Sequence, residues 1–168
     1  VKYATERGLQ PISYWFSDSS CPLKSRALAG LYNTACGYHG AAPWATQDYG
    51  ASGATTGYFY HYPDTVGETI TTVRFEALRD GIDDVRYLQA LDRAIAAAQQ
   101  ELERRTGDDG LQAALDAARE VRRKRFETIA GGYVGYIAGT SAAALDEGRR
   151  EMAEAAIALD RLRKAAEQ

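Results

Sequence analysis

The stretch Thr72-Val73-Arg74-Phe75-Glu76-Ala77-Leu78-Arg79-Asp80-Gly81-Ile82-Asp83-Asp84-Val85-Arg86-Tyr87-Leu88 decides how the chain is read, because a helical period opens in it. Leu78, Ile82, Val85, Leu88, Leu91, Ile95, Ala98 and Leu102 recur at three and four residues and mark one apolar stripe. The spacing predicts a single helix from near Thr72 to Arg105. Gly81 costs such a helix about 1 kcal/mol relative to Ala, so something must be gained there, and room for a neighbouring element is the simplest gain. Arg74, Glu76, Arg79, Asp80 and Asp84 stand within reach of one another along a helix flank. From the residues alone, this is a charged helix face bracing an adjacent layer.

Downstream, Gly107-Asp108-Asp109-Gly110 breaks the helix. A second helix is expected to carry Leu111, Leu115, Ala118, Val121, Arg122, Phe126 and Ile129 on its inner side. The segment from Gly131 to Gly139 reads as a glycine-punctuated flexible connector, without the Lys-Ser/Thr of a phosphate-binding loop. A third helix begins at Thr140 or Ser141 as N-cap, with Leu145, Met152, Leu159 and Ala166 seven apart. The abundant Ala favours helix and close helix packing, and the second half reads as a small antiparallel helical bundle. The seven-residue spacing suits packing within the chain or against a partner helix. Arg122-Arg123-Lys124-Arg125 takes successive positions around a helix and is answered by Glu120 and Glu127, which predicts a solvated face.

Upstream, the character changes. Residues 1–62 hold 12 of the 17 aromatics and only seven charged residues, while residues 63–168 hold 36 charged residues. Ile12–Phe16, Ala41–Ala45 and Tyr58–Tyr62 are strand candidates by their aromatic content and turn-residue flanks. Between the first two, a helix is expected from Pro22 to Tyr38, with Ser19 or Ser20 as N-cap, Leu23, Ala27, Leu28, Leu31 and Ala35 on one side, and Gly37 and Gly40 as stops. A strand–helix–strand unit of this length predicts parallel strands. Cys21 and Cys36, at the ends of this segment, would lie roughly 22 Å apart along a helix, too far for a disulfide.

The chain has 168 residues, about one domain's worth, whereas a complete eight-stranded β/α barrel needs about 250. Twenty basic against 23 acidic residues give a net charge of -3, which offers no excess of positive charge for nucleic acid. At 45% apolar and 26% charged residues it is an ordinary globular composition. No apolar run approaches the roughly 20 residues needed to span a bilayer, so neither nucleic acid nor membrane is expected as a partner. The start at Val1-Lys2-Tyr3 reads as an internal or processed boundary.

The run from Arg74 to Asp84, followed by Tyr87-Leu88, resembles the C-terminal signature of the glycoside hydrolase family 123-like proteins, together with the related DUF4091 domains. Tyr62-Pro63-Asp64 stands where that family has a Tyr-Pro-Gly loop, with Asp64 in place of the glycine. Tyr14-Trp15 and Ala42-Pro43-Trp44 match its aromatic barrel strands more loosely. The resemblance covers residues 9–91 and is sharpest over 68–91. It implies that residues 1–105 hold the C-terminal strand–helix units of a (β/α)8 barrel, and with the antiparallel helical bundle read from the periodicity over residues 106–168 the fold class is α/β. It further implies retaining, substrate-assisted removal of a terminal N-acetylated hexosamine and an extracellular or periplasmic location. In that route the substrate's acetamido group attacks the anomeric carbon, a Glu serves as acid and base, and an adjacent Asp steadies the intermediate, a departure from the two-carboxylate scheme. The family carries that pair on an earlier strand. The Asp-Glu dipeptide of this chain, Asp146-Glu147, falls in the third helix outside the resemblance, so no catalytic residue is assigned.

Barrel sites form at the C-terminal ends of strands, which directs attention to Tyr14, Trp15, Ser17, Asp18, Trp44, Thr46, Gln47, Asp48 and Tyr49. Tyr14, Trp15 and Trp44 would offer flat apolar faces to a sugar ring, and Gln47 and Asp48 hydrogen bonds to its hydroxyls. The plainer reading makes Trp15 and Trp44 core residues. His39 and His61 have no Cys or carboxylate at ligand spacing, so no metal is expected, and no cofactor. Two classes of function remain: part of a glycosidase whose other strands come from upstream chain or another subunit and whose partner is carbohydrate, or a non-catalytic structural or interaction module with a barrel-derived fold.

Overall fold

The structure, a computed structural model, describes residues 1–16, 21–44, 61–63, 69–105 and 107–165. It is rich in helix and carries one pair of parallel strands. The chain divides into two compact units, Val1–Asp83 and Asp84–Gln168.

In the first unit, a short helix α1 (Lys2–Thr5) precedes β1 (Ile12–Phe16). Helices α2 (Pro22–Ala29) and α3 (Leu31–Ala35) follow, and then β2 (Gly40–Trp44). β1 and β2 pair in parallel from Ile12 opposite Gly40 to Phe16 opposite Trp44, as a strand–helix–strand unit requires. The expected helix from Pro22 to Tyr38 is two helices, capped at Cys21, while Ser19 and Ser20 lie outside the described residues. The residue at the break, Gly30, stands where a side chain has no room. A Cβ there would sit 2.7 Å from the Arg26 carbonyl oxygen and 2.9 Å from that of Gly81. Gly81 meets the same place from the other side, and a Cβ on it would overlap the Arg26 carbonyl. The room expected at Gly81 is therefore a backbone-to-backbone contact. α3 ends on a left-handed Gly37, with Tyr38 N donating to Asn33 O and Gly37 N to Thr34 O, the double bond of a Schellman motif.

The third aromatic strand is found over the part of it that is described, in an antiparallel pair. Only His61–Pro63 (β3) is described as strand, and it pairs antiparallel with β4 (Thr69–Thr71), while Tyr58–Tyr60 lie outside the described residues. β4 leads into α4 (Val73–Arg104), where Phe75 N donates to Thr72 Oγ1 as an N-cap. Buried residues on α4 are Arg74, Ala77, Gly81, Asp84, Leu88, Leu91, Ile95, Ala98 and Glu101. They fall three or four apart, so the seam is a single line, as the period demands. Its first turns differ from the apolar reading, since Leu78 and Val85 are only half-buried and Ile82 is exposed.

In the second unit, α5 (Asp109–Glu127) begins where Asp108 accepts from Leu111 N at 2.9 Å. It packs against α7 (Ala142–Ala165), whose N-terminus Ser141 caps through Ala144 N. Leu111, Leu115, Ala118, Leu145, Met152 and Leu159 fill this core. Arg122, expected inside, is exposed and reaches Asp92 of α4 at 2.6 Å, because a guanidinium stays wet when a surface carboxylate is within reach. Arg123 does pair with Glu120 and Glu127 on the surface. Arg125 departs from the solvated face: it is only 17% exposed and binds Glu151 at 2.7 Å. Gly148 makes space for it, since a Cβ there would overlap the Arg125 guanidinium. The expected connector at 131–139 is instead a helix, α6 (Gly132–Gly139), which buries Tyr136. Burial of that ring outweighs the poor helix propensity of the glycines.

Candidate functional site

The parallel pair positions the candidate site. β1 ends at Phe16 and β2 at Trp44, side by side, so both strands release the chain at the same edge. Successive strand residues face opposite ways, and Tyr14 and Trp15 accordingly differ: Tyr14 is 57% exposed, while Trp15 is half-buried with its Nε1 shielded and without a hydrogen-bond acceptor. Indole N–H groups are usually satisfied when buried. Trp15 is thus placed as a ring with a free donor, one residue before the strand's end. Asn33 of α3 donates from Nδ2 to Ser13 Oγ, which fastens the helix layer to β1. His39 N donates to Pro11 O at 2.8 Å and fixes where β2 begins.

Of the other site residues read from the sequence, Trp44 contributes its backbone opposite Phe16, while its side chain lies outside what the structure describes. Ser17, Asp18, Thr46, Gln47, Asp48 and Tyr49 lie outside the described residues. Helix α4 supplies what the sequence reading missed. Arg74 is 7% exposed and its Nη1 is buried without a hydrogen-bond partner. Its position three residues before Ala77 and seven before Gly81 was the available signal, since it stands in line with the seam.

The second unit holds charged groups that are already engaged. Asp84, 2% exposed, is met by Arg149 at 2.9 Å. Glu147 of the Asp146-Glu147 dipeptide lies on the exposed face of α7 and is held by Arg150. A groove of about 480 Å³ between α4 and α7 is floored by Ala90, Ala94, Ala97 and Ala156. The Asp160 carboxylate on its edge is held below the usual carboxylate range by hydrogen bonds from Lys164 and Arg163. Among the described residues, no three His, Cys, Asp or Glu side chains cluster as metal ligands would. No helix there is long and apolar enough to cross a membrane. Cys21 and Cys36 are free.

Compared with protein-family models, curated proteins and solved structures, the chain matches nothing.

Proposed function

We propose that the chain is the C-terminal portion of a glycoside hydrolase-like protein of the family 123 type, acting on terminal N-acetylated hexosamine glycosides. In this reading residues 1–105 form the last strand–helix units of a (β/α)8 barrel, and residues 106–168 an antiparallel bundle appended to it. The observation that carries it is the contact of Gly81 with Gly30 and Arg26, which ties the signature helix to a parallel strand–helix–strand unit. Among the described residues a single parallel pair leaves strand edges that another part of a barrel would cover. The chain's share is binding: of the aromatic residues read from the sequence, Tyr14 and Trp44 stack on the sugar, Gln47 and Asp48 hydrogen-bond its hydroxyls, and Trp15, on the opposite face of β1 from Tyr14, stands behind them. The catalytic Asp-Glu pair comes from upstream chain or another subunit. The substrate's acetamido oxygen bonds to the anomeric carbon as the aglycone leaves with a proton from the Glu. Water then opens the oxazoline-like ring and returns a proton to that Glu, with net retention.

A second reading, a non-catalytic interaction module on the same fold, is favoured by one observation. The Asp-Glu dipeptide this sequence does contain is on α7, with its Glu engaged by Arg150.

The test is incubation of the native protein that carries this chain with an aryl N-acetyl-β-galactosaminide, with the anomer followed by proton NMR. Release of the β-anomer supports the enzyme. Sugar binding without release supports the module, and neither binding nor release overturns the carbohydrate reading. Native mass spectrometry adds a second check, because a stable monodisperse monomer of this chain alone contradicts the partial barrel.

A further inference from the structure

We propose that Arg74 anchors a binding site for an oxyanion, a carboxylate, sulfate or phosphate group, at the N-terminus of α4. An arginine cannot shed its charge in a protein, and burial of an unpaired charge is costly. Arg74 is 7% exposed, and its Nη1 is enclosed with no acceptor. Its place on the helix adds to the strain, because it sits in the first turn, where the helix dipole disfavours a cation. An anion at that end relieves both costs at once. Thr72 Oγ1 takes the Phe75 amide and leaves the amides of Val73 and Arg74 without an intrahelical acceptor. The Cα–Cβ bond of Arg74, in the first turn, tilts toward the helix N-terminus, the end at which these two amides are left open. A planar guanidinium fork beside backbone N–H groups suits an oxyanion. In a strand–helix unit this end also follows directly from a strand, here β4. The proposal stands on Arg74 alone and holds whether or not the chain acts on sugars.

The experiment is calorimetric titration of the full chain and of Arg74→Met with inorganic sulfate, inorganic phosphate, acetate, N-acetylgalactosamine and N-acetylgalactosamine 6-sulfate, at ionic strength matched with sodium chloride. Saturable binding of at least one anion is expected, weakened roughly tenfold to a hundredfold in Arg74→Met, the range for a lost charged hydrogen bond. Tighter binding of the sulfated sugar than of sulfate or the neutral sugar places the anion on a glycan. Equal binding of sulfate and the sulfated sugar makes it a free anion. No saturable anion binding, or an unchanged affinity in Arg74→Met, overturns the site. Without ligand, the urea midpoint of Arg74→Met is expected to equal or exceed that of the parent, and a clear fall would mean that Arg74 is already paired. Should Arg74→Met fail to fold, Arg74→Lys keeps the charge and loses the fork. It must then bind anions more weakly with its helical circular dichroism intact.

Discussion

Replacing Gly81 by Ala probes the contact that joins α4 to α2. In an open helix the change would stabilise by about 1 kcal/mol. Here the new Cβ overlaps the Arg26 carbonyl oxygen and comes within 3.1 Å of Gly30 N. Both neighbours are backbone, so no rotamer change relieves the overlap and the two helices must part. Overpacking costs about 1–3 kcal/mol, and a clash with backbone belongs at the upper end. The expected net effect is a loss of about 2 kcal/mol, or about 4–8 °C in Tm for a chain of this size. Urea unfolding followed by tryptophan fluorescence reads the right unit, because Trp15 and Trp44 both belong to the first. Gly135→Ala is the control: a Cβ there meets nothing within 4 Å, so α6 gains up to about 1 kcal/mol. If Gly81→Ala is as harmless as Gly135→Ala, the close crossing is not real and the placement of α4 against α2 fails with it.

In the second unit, Arg149→Met removes a partner from Asp84, a carboxylate whose side chain is 3% exposed. A loss of about 2–3 kcal/mol is expected in thermal unfolding followed at 222 nm, and a shift under half of that would mean that Asp84 is held by others. Asp108→Ala removes the N-cap of α5 and should cost about 1 kcal/mol, with faster amide exchange at Leu111 as its local mark. The Asp160 carboxyl is depressed first by its hydrogen bond from Lys164 and then by that from Arg163. A depressed carboxylate contributes stability above its unfolded pKa and loses it as pH falls through the folded value. The contribution should therefore be flat near neutrality, vanish only in acid, and shrink with salt at this exposed site. A carbon-13 titration should place Asp160 below a free aspartate and bring it back toward the ordinary value in Lys164→Gln. An identical midpoint in both proteins would refute the pairing.

The elements legible in the sequence are those set by local pattern. β1 spans the expected Ile12–Phe16, and α4 runs from Val73 to Arg104, within a residue of the expected ends. From Leu88 to Ala98 the apolar stripe and the buried seam coincide, and they part again at the end, where Glu101 is buried and Leu102 only half-buried. Before Leu88 they part by one position, because the seam there passes through Arg74, Gly81 and Asp84. Apolar counting passes over such residues in favour of Leu78, Ile82 and Val85. Asp84 is buried because Arg149, far along the chain, meets it, and no local window contains that pairing. The same limit hides the inward turn of Arg125, which depends on the small Gly148. Gly81 was readable as a need for space, but its partner Gly30 was not, since a glycine inside a helical pattern does not announce what approaches it. At the candidate site, the parallel direction of β1 and β2 followed from the strand–helix–strand pattern, whereas the register that sets Phe16 beside Trp44 did not. The orphaned donors of Trp15 and Arg74 could be found only from atomic neighbours.

The proposed function places carbohydrate recognition at the edge where β1 and β2 end. Saturation-transfer NMR on the native protein carrying this chain, with N-acetylgalactosamine and with galactose, tests it most directly. The account predicts transfer to the ring and acetamido methyl protons of N-acetylgalactosamine, weaker transfer to galactose, and a marked loss in Trp44→Ala and Asp48→Ala. Equal absence of transfer for both sugars, or transfer unchanged in both variants while the fold is retained, would contradict it.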